Sequence, residues 1–176
     1  LASGQGASAY AIQNLCSHGD NFVASSQLYG GTYNQFKNPF SDMGIEVRFV
    51  DPSDPQNFAD ATDDKTRAYY GEVLPNPSFQ VFPLQEVADI GRPLGIPLIV
   101  DNTAAPLICR PFDHGASIIV HSATKYIGGH GTSIGGVIVD GGNFDWEAHP
   151  KRQPKLNEPD PNYDGVVWTE AVKPLG

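Results

Sequence analysis

The stretch Ser117-Ile118-Ile119-Val120-His121-Ser122-Ala123-Thr124-Lys125 decides how the chain is read. Its first half is a nearly unbroken apolar run, the pattern of a parallel strand covered on both faces. Its second half brings two hydroxyls and an amine directly past the end of that strand. A second run of the same kind, Pro97-Leu98-Ile99-Val100, ends in Asp101. Both runs are expected to be central strands of one sheet.

Outward from these runs, helical and strand patterns alternate, which points to a sheet with crossover helices rather than a bundle or a sandwich. Ser3 can cap a helix over 4–16, and Gly19-Asp20-Asn21 turns the chain into a strand over 22–25. Gly30 and Gly31 are expected to break the chain before a short helix reaching Asn38. A strand over 45–50 follows and is closed by Asp51-Pro52. A short helix over 55–61, a strand over 67–73 and a helix over 83–94 come next, the last opened by Pro83 and stopped by Gly95. Residues 134–139 are expected to return antiparallel, because no helix is available there for a crossover. The expectation is an α/β unit over 1–145, with a mostly parallel sheet and helices on both faces. The Pro, Asn and Asp content of 146–176 reads as an irregular extension in which 150–165 need not be ordered.

The chain has 176 residues, enough for one domain with a real core. Its net charge of −9 and the lack of clustered Lys and Arg argue against a nucleic-acid partner and for small molecules. Two cysteines, Cys16 and Cys109, suggest neither a disulfide scaffold nor a zinc site, and the five histidines show no metal-ligand spacing. The sparse cysteines fit a reducing cytoplasm; no apolar run approaches the roughly 18 residues of a membrane span and no basic start leads into a signal-like apolar stretch, so a soluble protein is expected. Leu1 opens directly on a helix-start signal and Gly176 closes a Pro-Leu-Gly turn, which suggests a piece of a longer subunit.

In open parallel sheets, ligands bind beyond the carboxyl ends of the strands, where Glu72, Asn76, Asp101 and Lys125 are all expected to fall. An amine, two hydroxyl donors and a carboxylate at one sheet edge are what pyridoxal 5'-phosphate requires. Lys125, with its pKa lowered from about 10.4 by desolvation and a cationic ring, would be the nucleophile. Asp101 would keep a pyridine nitrogen protonated. Ser122 and Thr124, if extended, would point to one side and donate to phosphate, joined by the free N–H groups of Gly4 and Gln5 at a helix start. Tyr29 could stack on the ring, and Asn76, rigid between two prolines, could reach a phenolic oxygen.

Each assignment has a plain alternative. Lys125 can be a snorkelling surface lysine, Asp101 a turn cap, Tyr29 a loop aromatic, Asn76 a structural turn, and Gly4-Gln5 an ordinary capped helix. The glycine run from Gly128 to Gly136 lacks the lysine and spacing of a phosphate loop and reads as a tight wall beside the site.

Taken together, Leu28-Tyr29-Gly30-Gly31-Thr32, Glu72 with Asn76-Pro77, Asp101-Asn102-Thr103 and Ser122-Ala123-Thr124-Lys125 resemble the Cys/Met-metabolism family of pyridoxal-phosphate enzymes. The resemblance implies the large domain of fold type I, the aminotransferase-like fold, with Lys125 as the Schiff-base lysine, Asp101 as the pyridine-nitrogen partner and Tyr29 as the stacking ring. Gly4, Gln5, Ser122 and Thr124 match phosphate-contacting positions, and Asn76 matches the residue near the phenolic oxygen. Within the family, Gly128-Gly129-His130-Gly131-Thr132-Ser133-Ile134-Gly135-Gly136 and the Asp140-Gly141-Gly142 and Phe144-Asp145-Trp146 that follow are similar to the sulfhydrylase branch. That implies an amino-acid substrate, O-acetylhomoserine, whose acetate is replaced by sulfide or a thiol. A γ-lyase, a cystathionine synthase and a noncatalytic fragment are the competing readings. The resemblance also implies a tetramer made of dimers in the full-length parent. It places a phosphate-binding N-terminal segment and a C-terminal domain with a carboxylate-binding arginine outside this chain. The segment after Asp101 is one residue shorter than the commonest family form.

Overall fold

Apolar side chains alternate faces along each inner strand, and this alternation builds two cores. Phe22 and Ala24 of β1 (Asn21–Ser25), Tyr70 of β3 (Thr66–Glu72), Ile99 of β4 (Leu98–Asp101) and Val120 of β5 (Ile118–Ser122) face one side. Val23, Tyr69, Leu98 and Val100 face the other. The computed structural model describes residues 1–173, so the expected Pro174-Leu175-Gly176 turn lies outside the described residues.

The strands form one six-stranded sheet in the order β2-β1-β3-β4-β5-β6, with β2 at Glu46–Val50 and β6 at Gly136–Asp140. β1 to β5 pair in parallel, and β6 returns antiparallel along β5, with Ser122 opposite Gly136. The sheet is therefore mostly parallel, as expected. The strand order reverses at β1, whose neighbours are β2 on one side and β3 on the other. β4 is central, but β5 lies beside the edge strand. An apolar run reports that both faces of a strand are covered, and helices cover them wherever the strand stands in the order.

Helix α1 (Gly4–Leu15) buries Ala7, Ala11, Ile12 and Leu15 against the first core. Ser3 caps it by accepting the Gly6 N–H at 3.0 Å. On the opposite face α4 (Leu84–Gly91) presents Leu84, Val87, Ala88 and Gly91, spaced at i, i+3, i+4 and i+7. A single 3-10 turn over Arg92–Leu94 follows before Gly95 ends the helix. The short α3 (Gln56–Asp60) adds Phe58, whose ring meets Tyr69 and Phe82 edge-on. The two deepest tyrosines keep their hydroxyls satisfied, Tyr70 with Ser8 at 2.8 Å and Tyr69 with Thr62 at 2.6 Å.

Gly30 and Gly31 do not break the chain; they form the first turn of α2 (Gly30–Gln35). The first N–H groups of a helix need no intrahelical partner, so flexible residues are tolerated there. Beyond Gln35 the helix widens into a π-type turn over Phe36–Phe40, because Pro39 has no N–H to continue the regular ladder.

Residues 150–165 are more structured than expected. They hold a four-residue helix α5 (Pro154–Asn157), and a second, α6 (Trp168–Ala171), follows. Gln153 is buried and donates to the carbonyls of Arg67 and Gly95 at 2.9 and 3.1 Å. Arg152 donates to the carbonyls of Asp63 and Leu94. Lys155 donates to the carbonyls of Gln13 and Cys16 at 2.6 and 3.0 Å, which places a cation on the unpaired carbonyls at the end of α1. Composition alone hides this, because the anchors are single long polar side chains that reach backbone carbonyls. No described helix is long and apolar enough to cross a membrane.

Beneath the extension, Arg67 pairs with Asp20 at 2.7 Å, both nearly buried, and its guanidinium also donates to the carbonyls of Lys151 and Arg152. Removing one partner of such a pair leaves an uncompensated charge. Asp20→Ala is expected to cost about 3 kcal/mol in urea unfolding. It is also expected to speed proteolytic cleavage within 146–160, read by mass spectrometry.

Candidate functional site

The carboxyl ends of β3, β4 and β5 and the start of α1 meet around a cavity of about 340 Å³. That volume lies within the range of roughly 300–1,000 Å³ usual for small-molecule sites. Wider clefts of about 780 and 610 Å³ run along the extension, away from these strand ends.

Two carboxyl groups form the floor. Glu72 and Asp101 end neighbouring parallel strands and stand directly opposite in register. Glu72 is buried, and its carboxyl group accepts the Tyr29 N–H at 2.8 Å while the Asn76 N–H also faces it. Burial first, and the charge of Asp101 second, push the Glu72 carboxyl up to about 8. Asp101 is also raised by burial, against the hydrogen bonds of Thr103, whose N–H it accepts at 2.8 Å, and the nearby His121. Burial in turn lowers His121, against the pull of Asp101, and His121 Nδ1 is buried without a partner.

One wall is the N-terminus of α1. Gly4 and Gln5 line the cavity, and their N–H groups stand at helix positions that have no intrahelical acceptor. A Cβ on Gly4 would lie 2.5 Å from Cβ of Ser122, so only glycine lets the helix start this close to β5. The N-terminal segment is fixed by reciprocal backbone bonds between Leu1 and Gly136 at 2.8 and 2.9 Å. A side chain on Gly136 would strike the Ser3 carbonyl, 2.0 Å from the Cβ position.

The facing wall is Tyr29, which precedes α2 and is 49% exposed. Its ring lies over Gly31, with Cε1 2.5 Å from where a Cβ there would stand. Asn76, exposed, lines the same cavity, as does Lys125. Lys125 was expected at a buried strand end, but it is exposed. β5 stops at Ser122, and Ala123–Ile127 forms a wide turn in which Lys125 leaves helical geometry, at φ −91° and ψ −116°. That turn lifts the amine-bearing side chain out of the sheet and onto the cavity wall.

The turn also corrects the expected alternation of Ser122 and Thr124. Ser122 lines the cavity, and its N–H donates to Thr103 Oγ1 at 2.7 Å. Thr124 is not extended beside it; its hydroxyl accepts the Gly135 N–H at 3.1 Å and stands outside the cavity lining. Nor is the glycine run the wall of this cavity. Its last members, Gly135 and Gly136, hold Thr124 and the N-terminal segment in place.

Sequence reasoning did not single out Thr103, Thr32 and Tyr126, which also line the cavity. Thr103 had a readable signal, since an Asp side chain commonly accepts the backbone N–H two residues on. Thr32 and Tyr126 enter only through the folding of α2 and the wide turn.

The lining suits a flat, anionic, aldehyde-bearing cofactor. An exposed amine, a carboxyl group at the floor, a tyrosine ring on one side and unpaired helix N–H groups beside a serine hydroxyl are its complementary groups.

Comparison with known proteins agrees. A family model described as Cys/Met metabolism PLP-dependent enzyme matches residues 1–161. The chain is 47% identical over 173 residues to a homocysteine/cysteine synthase of Saccharomyces cerevisiae, covering 97% of this chain and 39% of that protein. It is 48% identical over 171 residues to an O-acetyl-L-homoserine sulfhydrylase of Leptospira meyeri, covering 97% of this chain and 38% of that one. The chain thus spans about two fifths of the length of these curated relatives. Among solved structures, a Campylobacter jejuni protein described as an O-acetylhomoserine (thiol)-lyase superposes with a TM-score of 0.95 at 35% identity. That match covers 99% of this chain and 44% of the other, which carries N'-pyridoxyl-lysine-5'-monophosphate. An O-acetylhomoserine sulfhydrylase of Wolinella succinogenes superposes with a TM-score of 0.78 at 39% identity, covering 86% and 43%.

The raised Glu72 carboxyl has a consequence for stability. Its ordinary value is 4.5, and in the fold it stands at about 8. Between these values the unfolded chain has released a proton that the folded chain keeps, so this group's contribution falls as pH rises from about 4.5 to about 8 and is level above. Urea unfolding of the cofactor-free protein is expected to show a shallower loss of stability between about pH 5 and 8 in Glu72→Gln.

Proposed function

The chain belongs to the Cys/Met metabolism family of pyridoxal-phosphate-dependent enzymes, and from that membership we propose that it forms the cofactor-binding part of an O-acetylhomoserine sulfhydrylase. The full-length subunit replaces the acetate of O-acetylhomoserine with sulfide and releases homocysteine. The observation that carries the reading is the convergence of Lys125, Asp101, Tyr29 and the start of α1 on one cavity.

When bound, pyridoxal phosphate supplies an electron sink for the substrate's α-carbon. In this reading Lys125 would hold the cofactor through Nζ, and its amine would be the base that takes the α-proton and relays a β-proton. Its exposed position on a turn leaves the amine free to travel between those atoms. Asp101 keeps the ring nitrogen protonated, and Tyr29 covers the ring face and offers its hydroxyl for proton transfer. The N–H groups of Gly4 and Gln5 and the hydroxyl of Ser122 grip the phosphate; charge-assisted bonds of this kind contribute about 1.5–3 kcal/mol each. The Asn76 amide reaches the phenolic oxygen.

The same reading places the protein in the cytoplasm and in a tetramer built of dimers. Leu107 and Ile108, 95% and 85% exposed, are apolar surface suited to such contacts.

Borohydride reduction of the loaded full-length subunit is expected to fix the pyridoxyl group on Lys125, mapped by peptide mass spectrometry. Label on another lysine sinks the assignment. Homocysteine formed with sulfide supports the sulfhydrylase, cystathionine formed with cysteine supports a synthase, and 2-oxobutyrate formed without either supports a γ-lyase. Gly4→Ala is expected to weaken cofactor binding at least about tenfold, or about 1.4 kcal/mol, by forcing α1 away from Ser122; equilibrium titration by absorbance reads this.

A further inference from the structure

Glu72 has no partner side chain of opposite charge among the described residues, yet it is buried at the floor between two strand ends. Its contacts are backbone N–H groups from two separate loops. One is Tyr29, at 2.8 Å, where the chain turns from β1 into α2. The other is Asn76, on the loop after β3, which faces the same carboxyl group. These loops carry the ring and the amide on the cavity wall, and Glu72 is the one side chain whose carboxyl group faces N–H groups of both.

A further contact joins the loops from outside, since Gln27 Oε1 accepts the Ser78 hydroxyl at 2.8 Å and Gln27 Nε2 donates to Gln80 at 3.0 Å. Both are exposed and hold the loop surfaces together only weakly against water. The Tyr29 turn has no side-chain cap of its own. Without the Glu72 carboxyl group its N–H would face the cavity unpaired.

We propose that Glu72 is a positioning residue: a buried acceptor that clamps the Tyr29 and Asn76 loops in the arrangement that receives the cofactor, while Asp101 alone meets the ring. This deepens the reading above and rests on it for the identity of the bound group. The clamp itself exists in the cofactor-free protein and can be tested there. The work needed from Glu72 is acceptance of a hydrogen bond, which an amide oxygen also performs and an alkyl group does not.

The experiment compares the full-length subunit with Glu72→Gln and Glu72→Leu by amide hydrogen exchange without cofactor and by pyridoxal-phosphate titration. In the unaltered protein the Tyr29 amide is expected to exchange at least about tenfold more slowly than the Gly30 and Gly31 amides. Those amides open α2 and lack intrahelical acceptors. Glu72→Gln should keep that protection, and Glu72→Leu, which fills the space without accepting, should lose it and bind the cofactor at least about tenfold more weakly.

An unprotected Tyr29 amide in the unaltered protein overturns the proposal whatever the variants do. So does a Gln variant as damaged as the Leu variant, or a folded Leu variant with unchanged exchange and affinity. If the exchange pattern holds but no variant binds pyridoxal phosphate, the clamp stands and the functional reading falls.

Discussion

The start of α1 can reach the sheet only because glycine stands at two contact points. Gly136 leaves room for the Ser3 carbonyl, and Gly4 leaves room for Ser122. With Leu1 bonded in both directions to Gly136, these contacts fix the first helix against the last strand pair. Everything proposed for the phosphate end follows, because two unpaired N–H groups and a serine hydroxyl share one corner only at this spacing.

At the floor, parallel pairing sets the chemistry. Strands that run together end together, so β3 and β4 deliver Glu72 and Asp101 side by side. Two anions there would repel in a poorly solvated place, and the outcome is unequal. Glu72 is held toward its neutral form by burial and by its neighbour, while Asp101 keeps hydrogen bonds from Thr103 and a histidine close by. One sheet edge thus sets two buried carboxyl groups in contrasting surroundings, one facing the N–H groups of two loops and the other bonded within its own turn.

Much of this was legible in the residues, because strand burial and strand ends leave local marks. The apolar runs before Asp101 and Ser122 gave β4 and β5 to within a residue or two, and Ser3 marked the start of α1. What stayed hidden depended on distant contacts. Ser122 and Thr124 look like an alternating pair until the wide turn after β5 separates them, and that turn depends on Gly135 bonding Thr124. The order of residues 150–165 depends on Arg152, Gln153 and Lys155 finding carbonyls on elements far away in sequence. Local composition carries no trace of such partners. The binding residues of the proposed site were found through strand ends and family resemblance; Thr103 was passed over because its role belongs to a turn.

The two ties that hold α1 have a bearing on biogenesis. Leu1 meets Gly136 across 135 positions, and Lys155 meets Gln13 across 142. These two ties to α1 therefore form only once the chain as far as Gly136 and Lys155 is present. Until then the apolar stripe of α1 lacks β5 and β6, and long-range closure of this kind is slow. The corner where α1 meets β5 and β6 accordingly takes its shape from contacts 135 or more residues apart in sequence.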